Sequence, residues 1–290
     1  MSDLTREFLA YAKEKRADLV GIAPIERFAG LPPERHPASI FPEVKSVVVV
    51  GKRIPRGSLR GVEEGTQFGT YHNYGYGWLE DRFLATTTSM LGEFLEDHRW
   101  EAVPLLNLPP EMEPMGVAVV HGRAAPNVLM DMDDAAVRAG LGEIGYLETF
   151  VTPQYGPRQR FYAILTDAPL DPTPIFGGTI CERSKAFAKF CPLGAIDPNA
   201  EKTIEIAGKS MKVAGIDYKI CAQCKNGAQP NRRHASGKPD RMAAVCMRSY
   251  MAHLEKGGKL ENTFVNAFRK RPAWTVHTDR LVSQEGSEIE

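Results

Sequence analysis

At 290 residues, the chain has room for one large domain, or for one domain and a small module. It is 43% hydrophobic and 25% charged with a formal net charge of +0, so no broad attraction to nucleic acid or an anionic membrane follows. Five cysteines are too few for a disulfide scaffold, their number is odd, and no apolar run is long enough for a membrane helix. The opening Met-Ser-Asp-Leu-Thr-Arg-Glu is charged and lacks an apolar signal core, which points to the cytoplasm.

Residues 3–16 predict an amphipathic helix with Leu4, Phe8, Leu9 and Ala12 on one face. Asp18 to Ala23 reads as a short strand, and Ser46-Val-Val-Val-Val-Gly51 as a buried one. Trp78 to Asp97 carries Leu79, Phe83, Met90, Leu91, Phe94 and Leu95 at helical spacing. Val117 to His121 and Arg160 to Thr166 read as further strands. A helix over Ala135 to Gly140 opens at Asp131, Asp133 and Asp134, carboxylates that suit the positive end of its dipole. The Pro- and Gly-rich stretch Asp167 to Gly178 marks a boundary, and residues 283–290 form a polar tail expected to fray.

Beyond that boundary lies Cys181-Glu-Arg-Ser184-Lys-Ala-Phe187-Ala-Lys-Phe-Cys191-Pro192. This is the frame C-x2-C-x2-C-x3-C-P with Ser184 and Phe187 at two thiolate positions. In a complete run the first three cysteines bind one [4Fe–4S] cluster and the fourth binds another. Cys191 is therefore left for a second site, and Cys221, Cys224 and Cys246 bring the set to four. Four such thiols suit one [4Fe–4S] cluster, a tetrahedral zinc, or no ligand at all as buried thiols. Cys181 reads as a leftover thiol.

Tyr71-His-Asn-Tyr74-Gly-Tyr76-Gly-Trp78 is dense in aromatics. It reads either as a pocket wall, with a tyrosine as proton donor, or as a loop entering the helix. Arg158 and Arg160, beside the Gly156-Pro157 turn, suit an anionic group or a solvated strand edge. The three aspartates read as helix capping before catalysis. His72, His121 and His234 are isolated, and His234 sits in a basic loop, Asn231 to Lys238, that reads as an insertion. No G-x-G-x-x-G follows a strand, so a nicotinamide site is not indicated.

Four stretches together resemble the corrinoid iron–sulfur reductases, that is, the reductive dehalogenases and epoxyqueuosine reductases. They are Ala139-Gly-Leu-Gly-Glu-Ile-Gly145, Val151-Thr-Pro-Gln-Tyr-Gly-Pro-Arg158, Thr166-Asp-Ala-Pro-Leu170 and Cys191-Pro-Leu-Gly-Ala-Ile196. The resemblance covers residues 16–250. Glu143 favours the dehalogenase branch, since the queuosine branch usually has Trp there. The implied fold is α+β: a nitroreductase-like cobalamin domain over 1–172, then a degenerate ferredoxin-like segment and tail over 173–290. The implied cobalamin contacts are Gly140, Leu141, Gly142, Glu143, Ile144, Gly145, Thr152 and Gly156, the glycines leaving room for a flat ligand. The implied catalytic set is one of Tyr71, Tyr74 and Tyr76, its pKa lowered by a neighbouring cation, with Arg158 and Arg160. The implied cluster ligands are Cys191, Cys221, Cys224 and Cys246.

The chain departs from that family, whose members carry two clusters. Ser184, Phe187 and the lack of a second Cys-Pro remove one cluster from both sides. Ser249 breaks the family C-x2-C at Cys246, and Cys224 offers a replacement thiolate. The expected activity is reduction of a small organic substrate. Electrons would pass from an external donor such as ferredoxin or flavodoxin to a single cluster and then to cobalt. The alternatives are an electron-transfer or corrinoid-handling accessory protein, and a zinc-stabilised non-catalytic relative.

Overall fold

The computed structural model describes residues 1–113, 115–277 and 280–283; residues 284–290 of the expected tail lie outside the described residues. In chain order the strands are β1 (Leu19–Pro24), β2 (Ser46–Arg53), β3 (Ala102–Leu105), β4 (Glu143–Gly145), β5 (Thr149–Val151), β6 (Gln159–Thr166), β7 (Ile196–Ile206) and β8 (Lys209–Ile216). A last pair joins Thr275–His277 to Arg280–Ser283. The longer helices are α1 (Asp3–Glu14), α2 (Ala85–Asp97), α3 (Met132–Arg138) and α4 (Val245–Lys256).

The central sheet runs β1-β2-β6-β3 and every neighbouring pair is antiparallel. Val48 of β2 stands opposite Ile22 on one side and Ile164 on the other. One face packs Val48, Val50 and Ile164 against Phe8 of α1 and Leu91 and Leu95 of α2. The other packs Val47 and Val49 against Ala135 and Val137 of α3, with Ile144 and Phe150. Covering both faces explains the unbroken apolar run of β2, because neither set of alternate side chains meets water.

The second helix starts earlier than its periodicity suggests. Helical backbone already runs through Gly69–Tyr71 and two wide-wound stretches, His72–Gly77 and Leu79–Leu84, before regular α2 begins. The aromatic stretch is thus helical, not a loop. Its glycines allow this, since a Cβ on Gly75 would lie 2.3 Å from the Tyr71 ring. Wide-wound turns of this kind gather at functional sites.

Val117 to His121 forms no strand. Val117 and Val119 are 82% and 84% exposed, and Gly116 and Gly122 on either side take φ of 82° and 77°. Those left-handed turns bend the run away from any neighbour, so its β-branched composition has no ladder to join. The Asp-rich helix forms as α3. Asp131 accepts from the amides of Asp133 and Asp134 at 2.9 and 3.1 Å, and Gly140 follows its end at φ 77°.

The stretch 167–178 holds no helix or strand. Apolar packing nevertheless continues across it. Tyr71, Leu79, Tyr146 and Val151 share one cluster with Met247, Tyr250, Met251 and Leu254 of α4. Met211 and Val213 of β8 join the cluster on the α3 face of the sheet.

Candidate functional site

The four cysteines expected as ligands influence one another electrostatically. Cys246 lies within electrostatic reach of Cys191, Cys221 and Cys224, and Cys221 within reach of Cys191 and Cys224. Burial, reinforced by these neighbours and opposed by Arg241, pushes the Cys221 thiol up to about 11 and Cys246 up to about 12. Local structure fixes each one. Asp217 caps the turn Tyr218–Cys221, and Cys246 opens α4. Cys191 accepts from the Ala195 amide and Cys224 from the Asn226 amide, each at 3.4 Å. Four thiols, two amide donors and a nearby guanidinium fit the donor chemistry of an iron–sulfur cluster. Among the described residues no three His, Cys, Asp or Glu side chains close on a single-ion site.

The positions that lack a thiol have other work. Ser184 accepts from the Ala186 amide and caps the turn Lys185–Phe190. Phe187 is fully buried and packs on Phe190, Tyr250 and His253 at ring separations of 5.4, 5.1 and 5.0 Å. Ser249 accepts from Arg269 at 2.9 Å. Cys181 is fully buried, taking the Tyr146 and Arg183 amides at 3.3 Å.

A second constellation surrounds Tyr71, which is fully buried. Its hydroxyl donates to Asp240 Oδ2 at 2.5 Å and accepts from Arg160 Nη2 at 2.8 Å, and Arg160 Nη2 also donates to Asp240 Oδ1 at 2.9 Å. Arg160 lies over the Tyr76 ring at 4.7 Å and 3.6 Å from Glu80. The Tyr76 hydroxyl accepts from the Arg232 amide at 3.1 Å. Arg232 and Arg233 both pair with Glu80 and Asp81. Tyr74 stands apart, 46% exposed and packed on Trp78 and Phe83. Burial and the Asp240 charge hold the Tyr71 phenol well above its ordinary pKa although Arg160 opposes them. That reverses the expected lowering, because desolvation outweighs the cation.

Arg158 does not join this network. It is buried, donating from Nη1 to the Ile54 carbonyl and from Nη2 to Asn262 Oδ1, both at 2.9 Å. His72 pairs with Gln229 and His234 with Ser236. His121 lies in the exposed stretch after Val120. Asp240, Glu80, Arg232 and Arg233 carried no signal in the sequence beyond the basic loop, whose ends the Gln229–Asp240 bridge ties together.

A cavity of about 480 Å³ opens beside Asp131 and Asp134, walled by Phe28, Arg35, Glu111 and Met130. Burial and neighbouring Asp131 push the Asp133 carboxyl up to about 7, against the pull of Lys238 and Arg160. Lys238 reaches Glu111 at 3.5 Å and Glu148 at 3.7 Å, and lies over the Tyr218 ring at 4.7 Å. Tyr218 opens the turn that ends at Cys221. Lys238 therefore links Glu111 and Glu148 to the turn that carries Cys221.

The glycine-rich run packs differently from its expected role. A Cβ would lie 2.1 Å from the Pro174 carbonyl oxygen at Gly140, 2.0 Å from that of Val151 at Gly142, and 2.6 Å from the Tyr250 hydroxyl at Gly145. Gly156, at φ 61°, rests against Leu260. Leu141 and Ile144 lie in the core. Buried Glu143 accepts the Ile180 and Cys181 amides and pairs with Arg183 at 2.9 Å. Thr152 bonds to Gln159. A side chain at these glycines would meet the chain's own atoms, and a corrin role for this run rests on the resemblance.

No family model matches the chain. The tetrachloroethene reductive dehalogenase of Sulfurospirillum multivorans is 44% identical over 64 residues, 21% of this chain and 13% of that protein. A solved reductive dehalogenase, described with a B12-dependent mechanism, superposes with a TM-score of 0.53 at 17% identity, over 85% of this chain and 32% of its own. A catabolic reductive dehalogenase in complex with 3-bromo-4-hydroxybenzoic acid gives 0.52 at 16%, over 97% and 40%. An epoxyqueuosine reductase gives 0.44 at 17%, over 66% and 52%. The chain shares its mixed helix-and-sheet fold with the solved reductive dehalogenases. It spans less than half the length of the dehalogenases it matches. No described helix is long and apolar enough to cross a membrane.

Proposed function

We propose that the chain is an iron–sulfur reductase similar to the reductive dehalogenases, with one [4Fe–4S] cluster on Cys191, Cys221, Cys224 and Cys246. One observation carries the reading. Consecutive residues join the two constellations: Asp240 holds the Tyr71 hydroxyl, and Arg241 lies within reach of Cys221 and Cys246. The adjacent residues Asp240 and Arg241 thus link the proton-holding phenol to the cysteine set. Arg160 positions Tyr71 and Asp240, and Arg232 and Arg233 neutralise Glu80 and Asp81 beside them.

A corrinoid is the partner cofactor the resemblance implies; when bound, it would supply a strongly nucleophilic reduced metal. The residues assigned to it are packed against the chain itself, which favours the second reading, an electron-transfer protein without its own corrin. Anaerobic purification followed by iron, sulfide, zinc and corrin assay tests both. About four irons and four sulfides per chain are expected. Alanine at any of the four cysteines should strip most of the iron, and Cys181→Ala should not. Zinc in place of iron defeats the reductase reading. Full iron with no corrin uptake under reductant selects the electron-transfer protein.

A further inference from the structure

The cysteine set opens to the surface on one side. Cys221 and Cys246 are buried, whereas Cys191 and Cys224 are partly exposed. Cys224 lines a surface cleft of about 230 Å³ with Val62, Phe68, Lys225, Pro230 and Pro239. Toward Cys181, by contrast, Phe187, Phe190 and Tyr250 fill the interior.

Three exposed lysines neighbour the thiols in sequence. Lys189 stands two residues before Cys191, Lys219 two before Cys221, and Lys225 directly after Cys224. None has a carboxylate within ion-pair distance among the described residues, whereas Lys202, Lys209 and Lys238 are paired. Two exposed carboxylates nearby face backbone instead: Asp217 takes the Lys219 and Ile220 amides, and Asp197 takes the Asn199 amide. Lys225 thus lines a partly apolar cleft with Cys224, and Lys189 and Lys219, exposed and likewise without a side-chain counter-ion among the described residues, lie within two residues of Cys191 and Cys221.

We propose that this surface docks an acidic one-electron carrier protein, seated over Cys224. This rests on the iron–sulfur reading and names its electron donor by chemistry. Opposite charge would steer the carrier and fix its orientation, while Val62, Phe68 and the prolines supply a desolvated contact. The step moves one electron: the carrier is oxidised by one, the cluster is reduced by one, and no bond changes.

Flavodoxin, a small acidic flavin carrier, is the probe, with dithionite as a small reductant for comparison. Cluster bleaching by flavodoxin hydroquinone should slow about tenfold or more from 10 to 150 mM salt, as screening shortens the field from about 30 to about 8 Å. The triple variant Lys189→Glu/Lys219→Glu/Lys225→Glu should lose about tenfold or more at low salt, with iron content and dithionite rate unchanged. The three single reversals, read in parallel, decide the matter if the triple variant fails to fold. Calorimetric binding of oxidised flavodoxin needs no cluster and separates the two readings. Zinc-loaded or metal-free protein that still binds, with salt sensitivity lost in the variants, sinks the cluster and upholds the surface. No binding by wild type at low salt, a flat salt profile, or variants at the wild-type rate overturns the surface.

Discussion

A phenol shut away from water beside a carboxylate keeps its proton, and Tyr71 is in that position. Removing its hydroxyl takes a partner from both Asp240 and Arg160 without opening a large cavity. Tyr71→Phe should lower turnover about a hundredfold or more, the scale of losing a general acid. Tyr74→Phe, altering an exposed ring, should leave turnover unchanged. Equal activity in both variants would place the proton elsewhere. Asp133 gives a pH prediction. Its ordinary value is 3.8 and its folded value about 7, so the fold favours the protonated form. That stability is fully present below about pH 4 and is lost as pH rises through about 7. Glu63 and Glu148 are shifted down, so their contributions change on the acid side instead. Between pH 5 and 8 the urea midpoint should fall, and Asp133→Asn should flatten that fall. An unchanged slope in the variant would remove Asp133 as the cause. Aromatic density exposed Tyr71 and Tyr76 in the sequence. Asp240 stayed hidden because its partner lies 169 residues away and nothing local marks a lone aspartate in a loop.

At the level of elements, local pattern was readable wherever packing agreed with it. Helix α1, strand β2, strand β6 and the Asp131 cap all follow from periodicity or from capping chemistry. The Val117–His121 stretch shows the limit, since a strand requires a partner edge that no single run specifies. The glycine-rich run shows another: glycine marks a close approach, yet the sequence does not say whether ligand or backbone approaches. At Gly140 and Gly142 a side chain would meet backbone, which makes a sharp prediction. Gly142→Ala would set a methyl 2.0 Å from the Val151 oxygen between β4 and β5. It should destabilise the chain by about 1–3 kcal/mol, the usual scale for overpacking, with a lowered thermal midpoint. Gly57→Ala, with nothing within 4 Å, should change little. A Gly142→Ala protein of full stability that fails only to bind cobalamin would restore the ligand-binding reason for the glycine.

For the whole molecule, the stretch 167–178 reads as a boundary because Pro and Gly interrupt helix and strand alike, and composition carries no record of what packs across them. The described structure packs Tyr71, Leu79, Tyr146 and Val151 in one cluster with Met247, Tyr250, Met251 and Leu254. Fully burying one such side chain contributes about 1.5–3 kcal/mol, and a domain's net stability is about 5–15 kcal/mol. Losing α4 alone would expose enough of these contacts to cancel that margin. Residues 1–172 expressed alone should therefore aggregate or remain unfolded, despite keeping the entire central sheet. The full chain should unfold in urea with coincident transitions by tryptophan fluorescence and far-ultraviolet circular dichroism. A cooperative transition from the 1–172 fragment, or two separated transitions in the full chain, would instead show that the first half holds a core sufficient for itself.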